Sequence, residues 1–503
     1  MKQTRLLVLV VLSAALGSAV LGVSPRVFAQ NAGSQAPTVE ERLQAIEQRL
    51  RDLERRLDAA RPQIKENLTS SAVLTEATLD ERFEALDQKV RILERRRELE
   101  QEAIAAQAKA APVFGAGGDG FSLRSAEGDF QLKLRGYLQT DGRFFFGDEA
   151  QPVSDTFILR RIRPIFEGTV FKYFDFRIMS DFGGGQTVLQ DAYIDARFWP
   201  QARFRVGKFK SPFGLERLQS ATDLLFVERA LPTNLVPNRD VGVQMHGDFG
   251  RGAFSYALGG FNGVVDGGSG DFDDRDGKDF VGRVFAHPFK PTKVELLKGL
   301  GLGVAGSVGN QKGSPTSPNL PGYKTTGQQT FFRYRSDGAA AGTSVADGER
   351  FRVSPQAYCY GGPFGLLTEY VFSSQEVKRG AATAQIDNES WHVAASYVLT
   401  GEKASYKGVT PRRAFDLGVG SFGAFEIAGR YSQLKVDNDA FPLFANPQTA
   451  ARKAKAWAVG FNWYFNKYVK FVMNYEQTEF DGGRATGDRE TEKAILSRFQ
   501  IAF

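Results

Sequence analysis

Two periodicities divide the chain. Between residues 38 and 97 apolar side chains recur at alternating steps of three and four, and beyond a glycine-rich stretch they recur at every second position. The first pattern is typical of a coiled-coil seam, and the second is typical of β-strands with one apolar face. The patterns therefore predict a short helical segment followed by an all-β domain.

The helical pattern occurs in two runs of about three heptads each. Pro62 separates them, because proline interrupts a helix interior. The seam positions are Leu43, Ile46, Leu50, Leu53 and Leu57 in the first run and Leu79, Phe83, Leu86, Val90 and Leu93 in the second. Charged flanks keep the segment in water, so we expect either a helical hairpin within one chain or a coiled coil between copies.

The two-residue pattern covers the rest of the chain. Within 457–465, the apolar residues Val459 and Trp463 fall on one face, and Ala458 and Asn462 fall on the other. The same alternation occurs in 129–139, 191–199, 204–209, 254–261, 424–431 and 469–476. Each of these segments is predicted to be a β-strand.

Three features favour a membrane barrel over a soluble β-sandwich. The chain has 42 Phe and 15 Tyr, and barrels place such side chains in girdles at the membrane surfaces. Short turns alternate with long polar loops, as they do at the two ends of a membrane barrel. The last strand, 495–503, ends on Phe503, which resembles the assembly signal of outer-membrane barrels. At roughly 20–25 residues per strand and connection, residues 120–503 hold about 16–18 strands, enough to enclose an aqueous lumen.

The N-terminus indicates export. Lys2 and Arg5 precede an apolar run, and Val27 and Ala29 occupy the small-residue positions of a cleavage site. Beyond this point no apolar window reaches the roughly 18 residues of a spanning helix. The predicted domains are a signal peptide at 1–29, a periplasmic coiled-coil segment at 30–110, a glycine-rich linker at 111–120 and an outer-membrane β-barrel at 121–503.

Composition argues against several function classes. The formal net charge of +6 is spread over 503 residues without a concentrated basic face, which argues against a nucleic-acid partner. The single cysteine, Cys359, excludes an internal disulfide. The three histidines, His246, His287 and His392, lack metal-ligand spacing, and a hydrolase would need one of them to converge with a serine and an orienting group. We therefore expect no enzymatic activity, no cofactor and no metal.

Arginines are the candidate lumen groups, because a guanidinium offers oxyanions a planar and permanently charged fork of donors. The densest group is formed by Arg160, Arg161 and Arg163 on one predicted strand. Alternation puts Arg161 and Arg163 on one face and Arg160 on the other, unless the backbone leaves regular pleating near a loop.

Further candidates lie in a long connection and in a later segment. Residues 211–240 are too many for a hairpin turn and are partly apolar, so we expect this segment to fold inward and narrow the pore. It carries Arg217 and Arg229, and further along Arg333 and Arg335 lie two residues apart and would share a face. These arginines form an anion site or, alternatively, are part of the mixed charges of a general porin lumen.

These residues resemble those of the phosphate-selective porins O and P. The matching stretches are Leu159-Arg160-Arg161, Asp191-Ala192-Tyr193, Gly207-Lys208-Phe209-Lys210-Ser211-Pro212-Phe213-Gly214-Leu215-Glu216, Tyr397-Val398-Leu399-Thr400-Gly401-Glu402, Gly460-Phe461-Asn462-Trp463-Tyr464 and the terminal Phe503. The resemblance implies a homotrimer of 16-stranded antiparallel barrels, each passing phosphate or related anions by diffusion. It implies that Arg160 and Arg161 are the family's paired arginines. It also implies constriction roles for Arg217 and for the Glu228-Arg229 pair.

The resulting hypothesis is a porin of the bacterial outer membrane that gives passive, anion-preferring diffusion through an arginine-lined constriction. Tyr137 and Gln190 depart from the family pattern, where an arginine and an acidic residue stand. Two alternatives stay open: a general or sugar porin without strong ion preference, and a barrel that anchors an envelope tether contacting the cell wall through residues 38–97. In each case we expect contact with outer-membrane lipid and lipopolysaccharide.

Overall fold

The computed structural model describes residues 48, 51–52, 55–56, 59, 76–117, 120–147, 153–272 and 276–503. The predicted signal peptide and the seam positions of the first heptad run lie outside the described residues. The chain divides into two units, Met1–Ala103 and Ile104–Phe503. Among the described residues, no helix combines the length and the apolar character that a membrane crossing requires.

The second heptad run is helical. Helix α1 spans Glu76–Ala110 and contains the whole run. Its seam side chains Phe83, Leu86, Val90 and Leu93 are all exposed. The helix is confirmed, whereas its packing into a coiled coil stays a prediction.

Most of the second unit is β-sheet. Its strands are β1 Val113–Gly117, β2 Gly120–Arg124, β3 Gln131–Phe146, β4 Thr156–Val170, β5 Phe174–Asp181, β6 Val188–Trp199, β7 Ala202–Lys210, β8 Arg239–Phe249, β9 Phe254–Phe261, β10 Asp279–Ala286, β11 Leu300–Lys312, β12 Gly322–Lys324, β13 Thr330–Arg333, β14 Val345–Gly361, β15 Phe364–Arg379, β16 Ala382–Val398, β17 Ala424–Lys435, β18 Ala451–Tyr464, β19 Val469–Gly482 and β20 Glu492–Ala502. The short helices of this unit are the α-helices Leu215–Leu218 and Glu295–Lys298 and the 3₁₀ helices Gly183–Gly185, Leu231–Leu235, Leu417–Val419 and Asn438–Ala440.

Sixteen of these strands close into one barrel. Strands β3 to β11 and β14 to β20 each pair antiparallel with the next, and β20 pairs with β3. Phe503 extends the closing pair, since its backbone N–H and C=O both bond to Gly136 at 2.9 Å. Pairing of β20 with Tyr137–Phe146 of β3 closes the ring of sixteen strands, as a barrel in lipid requires. The 16-stranded antiparallel barrel is therefore confirmed.

The alternation within strands gives the barrel its two surfaces. On β18 Trp457 and Val459 are exposed on the outside, while Ala458 and Asn462 are buried on the inside. On β20 Phe499 is exposed outside. Bulky apolar residues thus face lipid and polar residues face the lumen, the arrangement typical of outer-membrane barrels.

The segment predicted as a linker is partly strand. Strand β1 pairs with β2, and β2 pairs with the first residues of β3. The first residues of β3 extend beyond the part that pairs with β20. The β1–β2 hairpin supplies hydrogen-bond partners for the backbone of these residues. Glycine content does not prevent strand pairing when backbone groups at a strand edge are available. The domain boundary at 111–120 stays a prediction.

Two inward-folded segments occupy much of the lumen. The first, which we call the constriction loop, is residues 211–238 between β7 and β8. The second is the β12–β13 hairpin, whose Tyr323 and Phe332 are at most 1% exposed and belong to an apolar cluster with Leu235. Asn234 joins the two, donating to the Lys324 carbonyl at 2.9 Å and accepting from the Lys324 N–H at 3.0 Å. A cavity that remains beside the constriction loop is lined by strands β3 to β8.

Candidate functional site

The constriction loop is held by side chains of the barrel wall. A loop removed from water needs partners for its peptide groups, and polar wall residues supply them. The contacts are Gln139 to the Ala221 carbonyl at 2.9 Å, Lys470 to the Leu224 carbonyl at 2.7 Å, Asn462 to the Leu225 carbonyl at 3.0 Å, Arg430 to the Glu228 carbonyl at 2.8 Å, and the Val227 N–H to Asn474 at 3.0 Å. The predicted inward fold of 211–240 is thus observed.

Glu228 in the loop is surrounded by four arginines of the wall. Its carboxylate lies 2.6 Å from Arg160, 2.9 Å from Arg143, 3.6 Å from Arg161 and 3.7 Å from Arg498. Burial alone would raise the pKa of Glu228, but attraction to these guanidinium groups outweighs burial and holds the pKa well below its usual value. Glu228 is therefore an ionised group that fixes the loop to the wall.

A β-bulge explains why Arg160 and Arg161 both reach Glu228. Gln139 pairs with Arg161 and the next residue, Thr140, pairs with Leu159, so Arg160 is the extra residue. A bulge turns two consecutive side chains toward one side of a sheet, and strict alternation therefore fails at this point. Gly183 packs against the bulge, where an added Cβ would lie 2.6 Å from the Arg160 carbonyl oxygen.

The open lumen contains a cavity of about 520 Å³ between the loop and strands β3 to β8. Its cationic side chains are Arg160, Arg161, Arg163, Arg177, Arg205, Lys210, Arg217, Arg229 and Arg239, and its acidic side chains are Asp181 and Asp191. Five of the predicted arginines are thereby brought together. The excess of cations makes the cavity attractive to anions.

Most of the cavity cations have carboxylate partners. Besides the Glu228 contacts, these pairs are Arg163–Asp181 at 2.7 Å, Arg239–Asp191 at 2.8 Å, Arg177–Asp191 at 3.3 Å and Arg205–Asp195 at 2.6 Å. Paired guanidinium groups are largely neutralised and set the shape of the wall.

Three cavity cations have no carboxylate partner among the described residues. We call these side chains, Lys210, Arg217 and Arg229, the unpaired cations. They donate only to backbone carbonyls: Lys210 to Gln219 at 2.9 Å and Leu218 at 3.3 Å, Arg217 to Thr233 at 2.6 Å, and Arg229 to Gln219 at 2.8 Å and Glu216 at 2.9 Å. Within the described parts of the chain, no carboxylate lies within 4.0 Å of any of the three. Burial, and next the repulsion from Arg229 and Arg239, lower the pKa of Arg217, which still carries its charge at neutral pH. An anion in the cavity would relieve this repulsion.

The remaining predicted residues lie elsewhere. Arg333 ends β13 and Arg335 follows it, on the connection between β11 and β14, and neither lines the cavity. Arg335 donates to the Pro442 carbonyl at 3.1 Å. Phe503 lies at the barrel seam, as described above. A binding role for Arg333 and Arg335 has no support in this geometry.

The sequence patterns did not predict Lys210, Arg205 or Arg239 as site residues. Arg205 could have been predicted from the sequence, because the two-residue alternation of β7 places its side chain on the lumen face. Lys210 and Arg239 pair with each other in register at the point where the loop leaves the barrel. Gln190, like Arg160, is a bulge residue, since Met179 pairs with Asp191 and Ser180 with Leu189.

The chain is similar to known outer-membrane proteins. Residues 130–503 match the family described as phosphate-selective porin O and P. Porin O of Pseudomonas aeruginosa is 25% identical over 437 residues, which cover 80% of this chain and 96% of that protein. Two solved structures also align: the outer membrane channel DcaP of Acinetobacter baumannii (11% identity, TM-score 0.49, 74% of this chain and 97% of that one) and an anion-selective porin from Comamonas acidovorans (12%, 0.45, 74% and 100%). Because the family match covers nearly the whole barrel, the chain is an anion-preferring outer-membrane porin and belongs to the phosphate-selective porin O and P family.

Proposed function

We propose that this porin passes phosphate or a related small oxyanion by diffusion, and that Lys210, Arg217 and Arg229 are its binding groups. The observation that carries the proposal is that, among the described residues, these three side chains have no carboxylate partner within 4.0 Å in a cavity lined by further arginines. A tetrahedral oxyanion can accept hydrogen bonds from several directions, which suits donors that converge from a strand end and a loop.

Passage needs binding that is strong enough for entry and weak enough for release. The cationic wall attracts the anion, and the unpaired cations replace part of its hydration shell. Each of them already donates to a backbone carbonyl, so only part of its donor capacity is available to the anion. Arg160, Arg161 and Arg163 contribute through the potential of the wall, because they already donate to Glu228, Gln139 and Asp181, respectively.

The test is phosphate block of chloride current in planar lipid bilayers. We expect Arg217→Gln combined with Arg229→Gln to weaken the block at least about tenfold, since hydrogen bonds to charged groups are lost. The matched control is Arg251→Gln with Lys298→Gln, which removes the same charge from exposed positions. Equal block in the wild type and the double variant would remove these residues from the site.

The general-porin alternative makes a different prediction. If lumen charge were incidental, phosphate would compete with chloride no better than other divalent anions of similar size. Block by phosphate, sulfate and a dicarboxylate, compared on the wild type, separates an oxyanion site from a general charge effect. A common affinity for all three would favour the general porin.

We further propose that three copies associate and that α1 contributes to the contact. Phe83, Leu86, Val90 and Leu93 expose a heptad seam that a parallel coiled coil would bury. Deletion of 30–110 should lower trimer stability in detergent, measured by cross-linking, while conductance per pore is retained. The tether alternative predicts instead that the deletion abolishes co-sedimentation with purified cell wall and leaves the trimer unchanged.

A further inference from the structure

A second cavity adjoins the first. It has a volume of about 200 Å³, and Arg205, Lys210 and Leu218 line both cavities. The second cavity extends along β8, β9 and β10 toward the short β8–β9 connection, which is the end of the barrel opposite to the constriction loop's attachment. A solute that leaves the first cavity in this direction therefore passes Lys210.

Arg283 on β10 is the cation particular to this second cavity. Its Nε donates to Gln356 at 3.0 Å, and its guanidinium lies 4.7 Å from the centre of the Phe285 ring. In the part of the chain that the structure describes, its two terminal nitrogens have no hydrogen-bond partner and no carboxylate lies within 4.0 Å. Four of its five N–H donors are thus available on a side chain that faces the cavity.

The register of the strands explains why space exists in front of Arg283. Arg283 pairs with Ala257, and Ala257 pairs with His246, so the three form one row across β10, β9 and β8. The small methyl group of Ala257 separates two larger polar side chains and leaves a gap between them. His246 itself contacts Asp195 at 3.1 Å, as Arg205 does at 2.6 Å, and Asp195 is buried and is not among the residues that line the second cavity.

We propose that this second cavity is a further oxyanion site, with Arg283 as its principal donor and Lys210 shared with the first site. The inference rests on the proposed function of the first cavity and adds a second step to it. An anion bound at the unpaired cations would move to Arg283 without losing contact with Lys210. When both sites are occupied, repulsion between the two anions promotes release, the arrangement that permits flux through a pore with binding sites.

We expect that replacing Arg283 changes the phosphate flux strongly and changes the phosphate affinity of the first site little. For Arg283→Gln we expect the concentration of phosphate that blocks chloride current to stay within about twofold of wild type. The maximal phosphate current at saturating phosphate should fall about tenfold, because the donor that receives the anion is lost. Both quantities are measured in planar bilayers on the full mature protein.

Two further variants make the result decisive. Arg283→Lys keeps the charge and should restore most of the current, and Arg251→Gln removes an exposed charge at the same end of the barrel and should change neither quantity. Unchanged maximal current in Arg283→Gln, with normal block, would overturn the second site while the proposed function stands. Absence of phosphate block in the wild type would overturn both. Heat-modified mobility of the trimer in detergent gels shows that each variant is folded.

Discussion

Two regions of the barrel differ in how their buried cations are compensated. On β14, Arg350 and Arg352 share Asp279 at 2.7 and 2.8 Å, and Arg352 also reaches Asp266 at 2.6 Å. Around the open cavity, the hydrogen bonds of Lys210, Arg217 and Arg229 within the described chain all go to backbone carbonyls. The number of inward arginines therefore does not locate a binding site in such a barrel. A better guide is a buried cation that both lines an open cavity and has no carboxylate partner among the described residues.

The physical reason is the cost of removing charge from water. A buried guanidinium is tolerated when a carboxylate and further hydrogen bonds compensate the lost hydration, and the resulting pair is structural. A cation compensated only by carbonyl dipoles keeps an unsatisfied attraction for anions. It can remain in the fold because it borders an aqueous cavity, where water or a passing ion supplies the rest.

The largest effect that would test this comparison is expected for Arg352→Met. The substitution leaves Asp266 and Asp279 buried with fewer partners, and breaking a buried pair in this way costs about 3–5 kcal/mol. Arg229→Met removes only carbonyl contacts and should cost below about 1.5 kcal/mol. The free energy of unfolding, from urea titration of the protein refolded into lipid vesicles, measures both. Similar losses for the two variants would break the distinction between structural and binding cations.

Those buried partners mark the limit of what could be predicted from sequence. The wall was predictable because lipid imposes strict alternation on each strand, as at Val459 and Asn462 of β18, and because length limits the strand number. The pairing of Arg352 with Asp266 was not, since a wall residue meets a loop residue 86 positions away. No local sequence pattern predicts that contact.

Bulges and inward segments were hidden for a related reason. Arg160 shares a face with Arg161 only because of a register shift between β3 and β4, which depends on both strands. Tyr323 and Phe332 lie opposite each other on the short strands β12 and β13, yet they pack inside the barrel against the constriction loop rather than in its wall. Sequence patterns specify which side of a strand is apolar, but not whether the strand belongs to the barrel.

An intermediate effect is expected for Glu228→Gln, because Glu228 joins the two regions. The variant keeps the shape but removes the charge shared by four arginines, which should cost roughly 2–3 kcal/mol at pH 7. Since the folded pKa of Glu228 lies below its ordinary value of 4.5, the contribution of its charge is complete above about pH 4.5 and declines as pH falls toward the folded pKa.

Thermal midpoints of wild type and Glu228→Gln, measured between pH 7 and pH 3, should therefore differ by a constant amount down to about pH 4.5 and converge below it. Other carboxylates cancel in this difference because both proteins carry them. A difference that instead shrinks between pH 7 and pH 5 would mean that the four arginines do not hold the carboxylate in its charged form.

The smallest effect is expected for Arg333→Gln with Arg335→Gln. Both side chains lie outside the cavity on the connection between β11 and β14, so they can act on a permeating anion only through a field that salt screens within about 10 Å at 0.1 M. Phosphate block should thus stay within about twofold of wild type at 0.1 M salt. A tenfold loss would show that the anion is selected at the loops before it reaches the unpaired cations, and the comparison between the two lumen regions would then no longer explain selectivity.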